Sequence, residues 1–229
     1  PSVWNTAMVF FQAALLAGYG YAHALQRITS IRTQVAVHLA LLTVAALFLP
    51  LHINTLLGDP DPAAPSLWLL LTLPVSVGAP FAVLSATAPL LQAWYARVRA
   101  GHADGQNPYV LYAASNLGSF LALLAYPVLI EPLLSQSLQL RWWWTGYALF
   151  VLLAAASAIA HARGGSRAAP VSEEPGASHP VLWIALAACG SALWMSVANH
   201  LSQEVAPVPF LWVLPLSIYL LTFILCFES

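Results

Sequence analysis

The chain has 229 residues, 60% of them hydrophobic and 7% charged, with a mean hydropathy of +0.78. Soluble domains are about one quarter charged, so a soluble globular fold is excluded, and a formal net charge of −1 provides no basic footprint for nucleic acid. All 7 basic residues are arginines, which excludes lysine chemistry such as a Schiff base or a P-loop lysine within this sequence.

Apolar runs of about 20 residues recur along the whole length, as in a polytopic helical membrane protein. A transmembrane β-barrel would instead alternate over segments of about ten residues. The pattern predicts an all-α transmembrane domain over 1–229 with seven spans, at about 3–25, 34–51, 66–96, 108–130, 142–161, 180–200 and 208–227. The sequence opens inside one membrane-like segment and closes just after another, so it is expected to be a piece of a longer protein.

The first span carries Trp4 at one end, Tyr19, Tyr21 and His23 at the other, and Asn5 and Gln12 as inner polar groups. In the second, His38 is the one ionisable residue well inside a span, and a neutral imidazole hydrogen-bonded between helices is its expected state. The third stretch, 66–96, is too long for one straight perpendicular crossing of about 20 residues. It contains Pro74, Gly78, Pro80 and Pro89, which predicts a kinked or discontinuous helix.

The fourth span begins at Asn107-Pro108 and ends at Glu131-Pro132. Ala114, Gly118 and Ala122 recur every four residues, so they share one helix face and would let a neighbouring backbone come close. That predicts a buried central helix. The fifth span opens on Trp142, Trp143 and Trp144, which fits an interfacial aromatic belt. The Gly-, Pro- and Ser-rich segment 164–179 reads as a flexible loop. Cys189 and Cys226 each sit in an apolar run of the last two spans and read as small packing residues rather than a disulfide or a metal pair.

Loop charges give the orientation. Loops after spans one, three and five hold Arg27, Arg32, Arg97, Arg99, Arg163 and Arg167, whereas those after spans two, four and six hold only Arg141. By the positive-inside rule the first residue lies outside and the last in the cytoplasm. The same rule requires the third stretch to cross once, because two crossings would move Arg97 and Arg99 outside and abolish the asymmetry.

Three groups of residues are candidate contacts for a substrate. Ser115, Asn116 and Ser119 would line a polar pathway or, alternatively, bond a neighbouring helix and set packing. Gly78 and Pro80 mark the interruption of the third span, and discontinuous helices build substrate sites in transporters; the plain alternative is a proline-kinked packing helix. Asn199, His200 and Glu204 form the densest polar group near a membrane boundary, with His200 and Glu204 on one face if the helix continues. They would relay protons or bind a cation, or else be hydrated at a helix end. Two ligands do not make a zinc site, and no catalytic residue, cofactor or metal is assigned.

Four stretches resemble the membrane region of the bacterial spermidine-synthase-like family of fused integral membrane proteins. They are VWNTAMVFFQAALLAGYGYAH at 3–23, VGAPFAVLSATAPLLQAWYAR at 77–97, NPYVLYAASNLGSFLALLAYPVLIEP at 107–132, and VAPVPFLWVLPLSIYLLTF at 205–223. The resemblance implies a bacterial inner-membrane protein followed by a cytoplasmic aminopropyltransferase-like domain with a Rossmann-like nucleotide loop. No such loop and no acidic cluster occur in this sequence, so none of that domain's catalytic residues carries over. Two functions follow as expectations. One is binding or translocation of a small, polyamine-like metabolite; the other is a non-transporting anchor or scaffold for a synthase-like domain or a membrane complex. The expected partners are the lipid bilayer, the attached domain and, in the first case, a small-molecule substrate, with no nucleic acid.

Overall fold

The computed structural model describes residues 2–49, 58–60, 63–99, 109–163, 179–204 and 210–227. The fold is all-α, with no strand among the described residues. The helices are α1 (Ser2–Gln26), α2 (Ile31–Ala45), α3 (Pro65–Leu73), α4 (Ala79–Val98), α5 (Tyr109–Ala125), α6 (Glu131–Leu133), α7 (Gln136–Arg163), α8 (Pro180–Glu204) and α9 (Phe210–Phe227). Five helical stretches, 6–26, 31–48, 65–98, 110–133 and 136–159, are long and apolar enough to cross a membrane. Shorter apolar segments lie in α8, at 181–197, and in α9, at 213–226.

The long third stretch is one continuous helical path. A π turn at Pro74–Gly78 joins α3 to α4, and the residues on either side of it, Leu73 and Ala79, keep right-handed helical angles. The interruption is therefore a widened turn rather than an unwound segment. Proline lacks the N–H that would bond the carbonyl four residues back and its ring crowds that carbonyl, so a local π turn gives the chain room to continue. A second π turn, Tyr126–Ile130, contains Pro127 and joins α5 to α6 in the same way. Helix therefore runs past the predicted end of the fourth span, and Glu131 opens α6 rather than following a helix stop.

Other boundaries also shift. Ser30 caps α2, its side-chain oxygen accepting the Thr33 N–H at 3.3 Å, so this helix begins at Ile31 rather than 34. It passes into a 3₁₀ turn, Ala46–Phe48; the end of the predicted second span, at 50–51, lies outside the described residues. Helix α7 begins at Gln136, which puts the three tryptophans inside the helix rather than at its start. The loop predicted at 164–179 falls outside the described residues except for His179.

The chain divides into two compact units, 1–99 with 136–168, and 100–135 with 169–229. In the first unit, the contacts between α1 and its neighbours fix direction. Phe11 meets Phe81 edge-on, and Ala22 and Leu25 cluster with Ala86 and Leu90. Near the ends, Arg97 donates to the Gln26 carbonyl at 3.2 Å. Residue numbers rise together, so α1 and α4 run parallel. Helix α2 runs opposite to both, because His38 meets Thr87 while Gln34 meets Trp94. The third stretch thus crosses once, in the direction of α1. A second cluster joins Leu42 and Ala45 of α2 to Tyr147 of α7, with Val83 and Leu84 of α4 packed against it.

Among the described glycines, Gly18 is the one where close approach is essential. A Cβ there would collide with the Ala82 carbonyl oxygen and the Ser85 hydroxyl, so α1 and α4 touch through backbone at this level. Close backbone approach at small residues supplies packing energy that apolar burial cannot, since lipid is as apolar as a leucine side chain.

In the second unit, α9 packs against α5 and α8. Phe223 of α9 stands edge-on to Tyr112 of α5, with ring centres 5.7 Å apart, and to Tyr219 within α9 at 4.8 Å. The predicted close approach at Ala114, Gly118 and Ala122 is not what this packing uses. Nothing lies within 4 Å of a Cβ built on Gly118, both alanines are exposed, and no residue from 110 to 133 is buried. The small-residue spacing is present, but what is seen between α5 and α9 is the Tyr112–Phe223 ring pair. Cys189 and Cys226 are likewise exposed and unpaired rather than packed in a core.

Candidate functional site

The most polar part of the interior is a cluster in the first unit, at the meeting of α1, α2 and α4. His38 lies in the middle of α2 and is 2% exposed. One of its ring nitrogens, Nδ1, is 3.3 Å from the Tyr21 hydroxyl on α1, and the other, Nε2, is 3.1 Å from the Thr87 hydroxyl on α4. The Tyr21 ring stacks on the imidazole at 6.0 Å, and the Trp94 ring meets it edge-on at 5.9 Å. One turn before His38, the fully buried Gln34 accepts the Trp94 indole N–H at 2.6 Å and donates its own amide to the Ile28 carbonyl.

The sequence explains this placement. Gln34, His38, Leu42 and Ala45 recur at helical spacing and are the buried residues of α2, so its inner face is half polar and half apolar. Thr87 and Trp94 are seven apart, on one face of α4. The imidazole nitrogens both have partners, as a buried polar group at membrane depth requires. Further along the same face, the Tyr147 hydroxyl of α7 donates to the Leu42 carbonyl at 2.8 Å. Three helices are therefore tied to α2 by hydrogen bonds that cross between helices.

The residues singled out in the sequence are placed differently. Asn116 donates to the Tyr112 carbonyl at 2.9 Å, and Ser119 to the Ser115 carbonyl at 3.1 Å. Both bonds return to the preceding turn of α5 itself, the usual way a helical side chain satisfies its polar atoms without a partner helix. Gly78 closes the first π turn and faces the Phe10 ring, with 3.7 Å between that ring and a Cβ built there. Pro80 is fully buried in the first turn of α4. Helix α8 does continue through Glu204, so His200 and Glu204 share a face, and both are exposed. The Asn199 side chain lies outside the described residues. These three groups stand on separate elements, and no set of three or more His, Cys, Asp or Glu side chains comes together among the described residues.

Sequence reading found His38 and its hydrogen-bonded state but missed Gln34, Thr87 and Trp94. The available signal was two polar residues, Gln34 and His38, four apart in an apolar run. Buried polar residues also stand just before and within the π turn of the third stretch. Thr72 and Ser76 are 2% and 6% exposed, and the Thr72 hydroxyl has no hydrogen-bond partner. Comparison of the chain with protein-family models, with curated proteins and with solved structures found no match.

Proposed function

We propose that this chain is the membrane-embedded half of a spermidine-synthase-like protein, and that it serves as a non-transporting anchor or scaffold for a cytoplasmic synthase-like domain. The observation that carries the anchor reading is the use made of polar groups. Tyr21, Gln34, His38, Thr87 and Trp94 bond one another across helices, and Asn116 and Ser119 bond their own backbone. The first set holds helices together and the second closes on its own helix, whereas a translocation pathway turns polar groups and free helix ends towards its substrate. The four stretches at 3–23, 77–97, 107–132 and 205–223 support the family reading. The orientation with the first residue outside and the last in the cytoplasm of a bacterial inner membrane is part of the proposal. It is supported by Arg27, Arg32, Arg97 and Arg99, which the parallel α1 and α4 bring to one end of the first unit.

Translocation of a small, polyamine-like metabolite is the second reading. It is favoured by the π turn beside Thr72, since such turns are frequent at functional sites and this hydroxyl is buried without a partner. Uptake of labelled spermidine by proteoliposomes containing the whole parent protein separates the two. The anchor reading expects uptake equal to that of protein-free vesicles, while saturable uptake abolished by Thr72→Val would establish translocation instead.

A further inference from the structure

The hydrogen bonds around His38 determine where each proton of the cluster sits. A hydroxyl has one proton to donate and a neutral imidazole has one N–H, so each of these groups donates once. Thr87 has two partners: its hydroxyl oxygen is 3.1 Å from His38 Nε2 and 3.4 Å from the Val83 carbonyl, one turn earlier in α4. A carbonyl oxygen only accepts, so the Val83 bond takes the Thr87 proton, and the bond to Nε2 must be donated by the imidazole. Nδ1 then carries a lone pair. It stands 3.3 Å from the Tyr21 hydroxyl, whose one hydrogen-bond partner among the described residues is this ring.

The opposite order satisfies fewer groups. Thr87 would turn its proton from Val83 to Nε2, Nδ1–H would face the Tyr21 oxygen, and the Tyr21 proton would have no acceptor in the cluster. With His38 only 2% exposed, little water can make up that loss. From this count we propose that Tyr21, His38 and Thr87 form a one-way hydrogen-bond lock across α1, α2 and α4, with His38 held as its Nε2–H tautomer. The Tyr21 hydroxyl donates to Nδ1, Nε2–H donates to the Thr87 oxygen, and Thr87 donates to the Val83 carbonyl. Both imidazole nitrogens are committed, so His38 offers no free lone pair to a metal ion, a substrate or a travelling proton. The lock rests on the geometry of the first unit and is independent of the anchor reading.

Nitrogen-15 spectra of the full chain in bicelles, with the histidine rings labelled, test the lock; the His38 signals are the pair lost in His38→Gln. A protonated Nε2 and an unprotonated Nδ1 are expected. Tyr21→Phe is expected to shift the unprotonated nitrogen and to leave the tautomer unchanged, whereas Thr87→Val is expected to shift the protonated one. A protonated Nδ1 in the unmodified protein, alone or together with Nε2, would overturn the proposal. So would a Tyr21→Phe shift confined to the protonated nitrogen, or no shift at either. Tyr21→Phe keeps the ring that stacks on the imidazole, so it decides the matter even where Thr87→Val fails to fold.

Discussion

Both units are built from apolar helices, but side chains hold them together in different ways. In the first, side chains reach from helix to helix: His38 to Tyr21 and Thr87, Gln34 to Trp94, Tyr147 to the Leu42 carbonyl, with the backbones of α1 and α4 touching at Gly18. In the second, Asn116 and Ser119 of α5 bond back to their own helix, and the Tyr112–Phe223 ring pair stands in the α5–α9 contact. Because lipid competes equally for apolar surface, hydrogen bonds and close backbone packing are what distinguish a specific helix arrangement from a loose one. The first unit has both, and it should be the less tolerant of substitution.

The largest contrast is expected between the glycines. Gly18→Leu drives a side chain into the Ala82 carbonyl and should destabilise the first unit by about 3 kcal/mol or more. Gly118→Ala meets open space and should be neutral or stabilising by up to about 1 kcal/mol, from helix propensity alone. Unfolding of the two variants in mixed micelles checks the pair. Equal losses would mean that α5 makes a close contact after all.

Next in size are the polar substitutions. His38→Leu removes two interhelical bonds and strands the Tyr21 hydroxyl, while Thr87 keeps its bond to the Val83 carbonyl, a loss of about 1–3 kcal/mol. Asn116→Leu removes only a bond within α5 and should change stability by less than about 0.5 kcal/mol. The anchor proposal adds that Asn116→Leu leaves any cellular phenotype of the parent protein intact, which a complementation assay reads directly.

How far the fold was legible can be judged from these same residues. Helix positions were clear, because runs of about 20 apolar residues have few alternatives in a membrane. The single crossing of 65–98 was legible through Arg97 and Arg99, since loop charge constrains direction even where prolines obscure the helix. Which face of a helix meets which neighbour was not. His38 and Thr87 are 49 residues apart, and Gln34 and Trp94 are 60 apart, and nothing local in either segment records that register. The four-residue spacing at Ala114, Gly118 and Ala122 was visible and still misled, because small residues permit close approach without requiring it. The π turn at Tyr126–Ile130 was missed as well: Glu131-Pro132 reads as the end of the span, and a widened turn at Pro127 carries the helix on into Glu131–Leu133.

Smaller effects sharpen the comparison further. Tyr147→Phe deletes one interhelical bond, but the Leu42 carbonyl keeps its bond to the Ala46 N–H, so the loss should be only about 0.6 kcal/mol. In the second unit, the Ser217 hydroxyl is buried without a partner, and Ser217→Ala should be neutral or slightly stabilising in the same unfolding assay.

The account turns on His38 and Thr87 being coupled across the helix interface. A double-mutant cycle of His38→Leu and Thr87→Val, followed by unfolding in bicelles, measures that coupling directly. A favourable interaction of about 0.6–1.7 kcal/mol is predicted, the range of hydrogen bonds between membrane helices. Strictly additive losses would contradict it, and with it the claim that polar bonds fix the arrangement of the first unit.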